Sequence, residues 1–109
     1  KSAYTASKHG IVGLTKVTAL ETAKENITCN SVCPGFVLTE LIQDQIDFIA
    51  KKKKISIQKA EVELLKEKQP SLQFVQKNDI ASLIYYLSSE GASQITGSNI
   101  PIDGAWTSQ

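Results

Sequence analysis

The sequence contains no apolar run approaching the about 18 residues that a membrane span requires, and no basic-then-apolar leader opens it. It therefore reads as soluble and unexported, with a cytoplasmic location and no membrane partner expected. Charge imbalance is also lacking. Twelve basic residues stand against eleven acidic ones, so no overall field draws the chain toward nucleic acid. Cysteine is scarce, and its two copies, Cys29 and Cys33, fall in the β-rich run ITCNSVC. At about 3.3 Å per extended residue they would stand roughly 13 Å apart, too far for a disulfide. Without CxxC spacing or further ligands they read as buried free thiols in a reducing compartment, and no metal is expected. Methionine is absent even from the first position, so an N-terminal portion preceding Lys1 is expected.

What is present is the ordinary apolar and charged content of a globular chain, 41% hydrophobic and 21% charged over 109 residues. Residues 2–25 read as a helix, with Ile11, Leu14, Val17 and Leu20 at helical spacing and Asn26 as a stop. Gly10 and Gly13 interrupt it at about 1 kcal/mol each, which predicts something packed close against their backbone. Residues 27–33 read as a strand closed by Pro34 and Gly35. From Thr39 to Lys68 the chain reads as helical and charged, with narrow apolar stripes such as a lid or flap would carry, and Pro70 ends it. Lys51–Lys54 lacks interleaved aromatics and is offset by Glu61, Glu63 and Glu67, so it reads as a solvated face. Asn78 suits the N-cap of a helix that Gly91 stops, and SNIPI forms a last strand, with Pro101 suiting an edge. Helix, strand, lid, helix, strand is a parallel β-crossover-β unit behind an extra helix. Two such strands leave open edges and uncovered faces. The fold class is therefore α/β, half of a doubly wound parallel-sheet domain.

The opening KSAYTASKHG places chemistry on the first helix. Positions one turn apart share a face, so Lys1, Tyr4 and Lys8 project together. A phenol titrates near ~10 alone. A cation ~6 Å away across an effective dielectric of ~20 stabilises the phenolate by roughly 2.8 kcal/mol, enough for Tyr4 to serve as a general acid/base with Lys8 as its tuner. Lys1 could anchor an acid whose hydroxyl faces that phenol, whereas His9 points off this face. Y-x-x-x-K alone also arises by chance on ordinary helices, leaving a half-buried aromatic beside a surface lysine as the alternative.

The order of KSAYTASKHGIVGLTK, NSVCPG, PGFVLTEL, QPSLQFV and ITG…IDG is more specific. In it the chain resembles the C-terminal part of short-chain dehydrogenases/reductases along essentially its whole length. The resemblance implies that residues 1–109 are the C-terminal part of one NAD(P)-binding Rossmann domain with a lid at about 39–69. It makes Tyr4 the catalytic acid/base and Lys8 both its tuner and a ligand of the nicotinamide ribose. Pro34 and Gly35 would shape the loop beside the nicotinamide, and the Val37 backbone and Thr39 hydroxyl would hold its carboxamide. Lys1 and Gln45 would bind a substrate carboxylate and Phe36 would wall the pocket. NAD is the implied cofactor, with NADP as the alternative, a small hydroxy or keto acid the implied substrate, and a homotetramer the implied assembly. The family's serine, asparagine, Gly-rich phosphate turn and ribose-reading acid would all precede Lys1, so the stretch alone is expected to be inactive. Ala105 stands where a second glycine is frequent after Asp103. Two other readings remain: an NADPH-dependent reductase of carrier-bound 3-oxoacyl groups from the same family, which Lys1, Gln45 and the lid disfavour, and a helical interaction module docking through residues 51–67.

Overall fold

The computed structural model describes residues 1–108, so position 109 of the span read as one domain lies outside the described residues. The elements are α1 (Ser2–Thr22), β1 (Ser31–Pro34), α2 (Glu40–Lys53), α3 (Ile57–Leu65), α4 (Lys77–Leu87) and β2 (Asn99–Ile102). β1 and β2 pair in a two-stranded sheet. Its bonds run from Ser31 N–H to the Ser98 carbonyl and from Gly35 N–H to the Ile102 carbonyl. Partners advance in the same direction, so the pairing is parallel and α2, α3 and α4 lie in the crossover, as the α/β reading expects. The residues fall into two compact units, Lys1–Cys33 with Ala81–Ile100, and Pro34–Ile80 with the residues from Pro101 onward.

In the first unit α1 buries only Thr15 and Ala19, while Tyr4, Leu14 and Leu20 are exposed. It ends at Thr22, three residues before the predicted end at position 25, and Asn26 completes the turn at φ 54°. No neighbour lies within 4 Å of a side chain built on Gly10 or Gly13, so the expected close partner is absent among the described residues. The predicted strand over 27–33 starts only at Ser31 because side chains replace its first rungs. Cys29 N–H donates to the Thr96 hydroxyl at 3.0 Å, Asn30 Nδ2 donates to the Ile95 carbonyl, and Asn30 Oδ1 accepts from Ser98 N–H. The strand also extends through Pro34 rather than stopping before it. Both cysteines are free but not buried as predicted, Cys29 being half-buried and Cys33 exposed. The helix that ends in this unit stops at Leu87, ahead of Gly91, where the Ser88 and Ser89 hydroxyls fold back onto the Ile84 and Tyr86 carbonyls.

In the second unit the predicted helical stretch 39–68 breaks in two. Lys54 adopts φ 52° and caps α2 by donating its N–H back into the last turn, and the Ser56 hydroxyl accepts from Lys59 N–H to start α3. The two helices pack through Ile46, Ala50 and Ala60, where alanines on both sides let them approach closely. Glu63 ties them at the surface through Lys53 and Lys66, whose hydrogen bonds hold its carboxyl down to about 2. α4 begins at Lys77, so Asn78 lies inside the helix, and the Gln76 carbonyl accepts from Ile80 N–H at 3.3 Å instead.

Asp103 closes the segment after β2. It is buried and accepts from Ala105 N–H, Thr107 N–H and the Thr107 hydroxyl, and these bonds, the Thr107 hydroxyl first, hold its carboxyl below the usual range. Ala105 sits at φ 72°, in the left-handed region where a Cβ costs about 1–2 kcal/mol. Ala105→Gly removes the strain but frees the unfolded chain by about 0.4–1 kcal/mol. A net gain of about 0.5–1 kcal/mol is expected, read as a raised Tm in the full-length protein; a lowered Tm would contradict the strain.

Candidate functional site

α1 carries the acid/base candidate. Lys8 Nζ lies over the Tyr4 ring, 5.6 Å from its centre, and Lys8 is in no ion pair among the described residues. Tyr4 is 67% exposed, so its phenol is reachable. Lys1 stands at the head of the same helix, exposed, with its carbonyl accepting from Thr5 N–H. Ser7 spends its hydroxyl on the Tyr4 carbonyl at 2.8 Å, and His9 Nδ1 donates to the Thr5 carbonyl, so neither side chain joins the pair.

The other candidates lie in the second unit. Pro34 and Gly35 leave β1 and lead through Phe36 to Val37, which bridges Val75 in parallel. The Phe36 carbonyl accepts from Val75 N–H at 2.9 Å. The Thr39 oxygen accepts from Ile42 N–H at the head of α2, and its hydroxyl proton remains free to be donated. Phe36 and Gln45 line one cavity of about 290 Å³ with Ile49, Lys53, Glu67 and Lys68. A larger hollow of about 620 Å³ beside Ile55 and Val62 contains none of the predicted residues.

Three residues that sequence reasoning passed over support this turn. Gln69 is fully buried, with Oε1 accepting from Phe36 N–H at 2.7 Å and Nε2 donating to the Gln73 carbonyl. Trp106 stacks on Phe36 with ring centres 5.1 Å apart, and Lys68 Nζ lies 5.4 Å from the Trp106 ring centre. Asp103 approaches Gly35 so closely that a Cβ there would meet its Cα at 2.9 Å. The available signal was QPS beside the turn and a lone tryptophan after IDG, but only tertiary contact gives them a partner.

Taken separately, each unit offers donors of a kind that a dinucleotide accepts: the Lys8 ammonium in the first, and the Thr39 hydroxyl after the Gly35 turn in the second. Among the described residues no group of three or more potential metal ligands comes together, and no helix is long and apolar enough to cross a membrane. A family model described as Enoyl-(Acyl carrier protein) reductase matches residues 1–107. The chain belongs to the short-chain dehydrogenases/reductases. It is 52% identical over 109 residues to a D-beta-hydroxybutyrate dehydrogenase of Cupriavidus necator and 46% identical to one of Rhizobium meliloti. Each match covers 100% of this chain and 42% of the relative, so the chain spans well under half the length of these proteins. Among solved structures, 4-hydroxyisoleucine dehydrogenase complexed with NADH superposes with a TM-score of 0.81 at 40% identity, covering 99% of this chain and 40% of the other. The fold is thus the Rossmann-like α/β fold of that family.

Proposed function

We propose that the protein carrying this chain is an NAD-dependent oxidoreductase that interconverts (R)-3-hydroxybutyrate and acetoacetate. The observation that carries the reaction class is the Tyr4–Lys8 pair at 5.6 Å on an accessible helix. Similarity to the two D-beta-hydroxybutyrate dehydrogenases supports the substrate. In this reading Tyr4, as phenolate, takes the hydroxyl proton, and the Lys8 ammonium stabilises that phenolate and donates to the nicotinamide ribose. Thr39 donates to the carboxamide, with the Val37 backbone beside it. Bound NAD supplies the acceptor for the hydride leaving the substrate carbon. Lys1 and Gln45 hold the carboxylate, and Phe36 forms an apolar wall. A cavity of about 290 Å³ at Phe36 and Gln45 lies at the small end of ligand clefts, which run about 300–1,000 Å³. Similarity to the two D-beta-hydroxybutyrate dehydrogenases favours a short acid over the carrier-bound acyl group that the family model's description names. The same reading carries a homotetramer in the cytoplasm.

The test is an assay of the full-length protein with NAD or NADP and each enantiomer of 3-hydroxybutyrate, following NADH absorbance. Turnover with NAD and the R enantiomer is expected. Failure on both enantiomers, together with NADPH-dependent reduction of an acetoacetyl thioester, would overturn this reading in favour of the acyl reductase.

A further inference from the structure

We infer that Gln69 is a positioning residue that locks the Gly35–Phe36 turn to the chain leaving the lid, and thereby sets the seat of the nicotinamide. The inference rests on the reading of residues 34–39 as the cofactor turn. Its own evidence is geometric. Gln69 lies just beyond α3, with its N–H donating to the Leu65 carbonyl at 2.7 Å, and its side chain is fully buried. Each half of its amide has a separate backbone partner: Phe36 N–H for the oxygen, the Gln73 carbonyl for the nitrogen. A flipped amide would set donor against donor and acceptor against acceptor, so one orientation is fixed.

The packing around the amide is equally restrictive. A Cβ on Gly35 would lie 2.5 Å from Gln69 Oε1, and one on Gly104 would lie 2.8 Å from Gln69 Cγ. Glycine is therefore required on two sides of this side chain. Phe36 in turn spends both backbone groups here, its N–H on Gln69 and its carbonyl on Val75 N–H. The residue that leads into Val37 and Thr39 thus takes its backbone position from Gln69 on one side and Val75 on the other. A buried amide that joins the end of the lid to this turn has more to do than fill space, since an apolar side chain of equal length would fill it too.

The test uses two variants of the full-length protein, Gln69→Met and Gln69→Glu, compared with the parent. Methionine keeps the volume and removes both hydrogen bonds; glutamate keeps the acceptor for Phe36 N–H and loses the donor to Gln73. Expected for Gln69→Met is a roughly tenfold weaker NADH affinity by fluorescence titration and a similar rise in KM for NAD, with KM for the hydroxy acid within about twofold. Gln69→Glu should fall between Gln69→Met and the parent, and it decides the matter if the methionine variant does not fold. NADH affinity unchanged in whichever variant folds overturns the inference, as does an equal loss for cofactor and hydroxy acid. Because NADH binding is read without turnover, these results stand apart from whether the parent oxidises 3-hydroxybutyrate.

Discussion

Tyr4→Phe in the full-length protein should lower kcat for 3-hydroxybutyrate oxidation by about a thousandfold while leaving NADH affinity within about twofold. The substitution removes one oxygen and nothing else. Tyr4 is 67% exposed on α1, and a melting temperature measured beside the rates separates a lost proton transfer from lost stability. General acid–base catalysis contributes typically 10²–10⁴, and a thousandfold corresponds to about 4 kcal/mol of the barrier. The Lys8 ammonium, 5.6 Å from the ring centre, remains in the variant. Binding should thus survive while proton removal fails, which is the signature of an interaction made in the transition state. Stopped-flow or steady-state rates beside a fluorescence titration separate the two. Retention of more than a tenth of the parent's kcat would remove Tyr4 from the mechanism and return it to the ordinary aromatic that a chance Y-x-x-x-K offers.

The parts legible in the sequence were those fixed by local rules. The Tyr4–Lys8 spacing follows from helical geometry alone, and the parallel crossover follows from the order of periodic segments closed by Pro34, Gly35 and Pro70. Illegible were places where a side chain substitutes for backbone. Asn30 takes over the rungs that a strand over 27–33 would have made, and Ser88 and Ser89 end α4 before its glycine. The break in the helical stretch 39–68 was hidden for a related reason: Lys54 in a left-handed conformation has no sequence mark inside a four-lysine run, and only the Ser56 cap hints at a new start. Gly10 and Gly13 were read as marks of close packing, and the space beside them is open among the described residues. Glycine reports a backbone requirement without naming the partner. Gln69 shows the converse, since its place in QPSLQFV does not reveal the Phe36 N–H that its oxygen accepts from.

Gly35→Val should damage both stability and cofactor binding, because the groups that fill the space beside Gly35 are themselves held in place. A Cβ at this position would stand 2.5 Å from Gln69 Oε1, 2.9 Å from Asp103 Cα and 3.2 Å from Asp103 Cβ. Gln69 is fully buried with both amide groups engaged, and Asp103 is held by three hydrogen bonds from Ala105 and Thr107. Neither neighbour can withdraw cheaply. Overpacking costs about 1–3 kcal/mol, and the two further methyls of valine put this case near about 3. At about 2–4 °C per kcal/mol for a chain of a few hundred residues, the melting temperature should fall by about 6–12 °C. The turn must shift to relieve the clash, and a displacement of about 1 Å beside a bound group can cost a hundredfold, so NADH affinity should drop by about that factor. Adding Gln69→Ala makes room for one side of the valine but leaves the Asp103 backbone where it is. The double variant should regain part of the lost stability and little of the cofactor affinity, a coupling that a double-mutant cycle in Tm and NADH titration will read. A Gly35→Val protein that melts within about 2 °C of the parent and binds NADH normally would show that the turn is not held against Gln69 and Asp103 in solution.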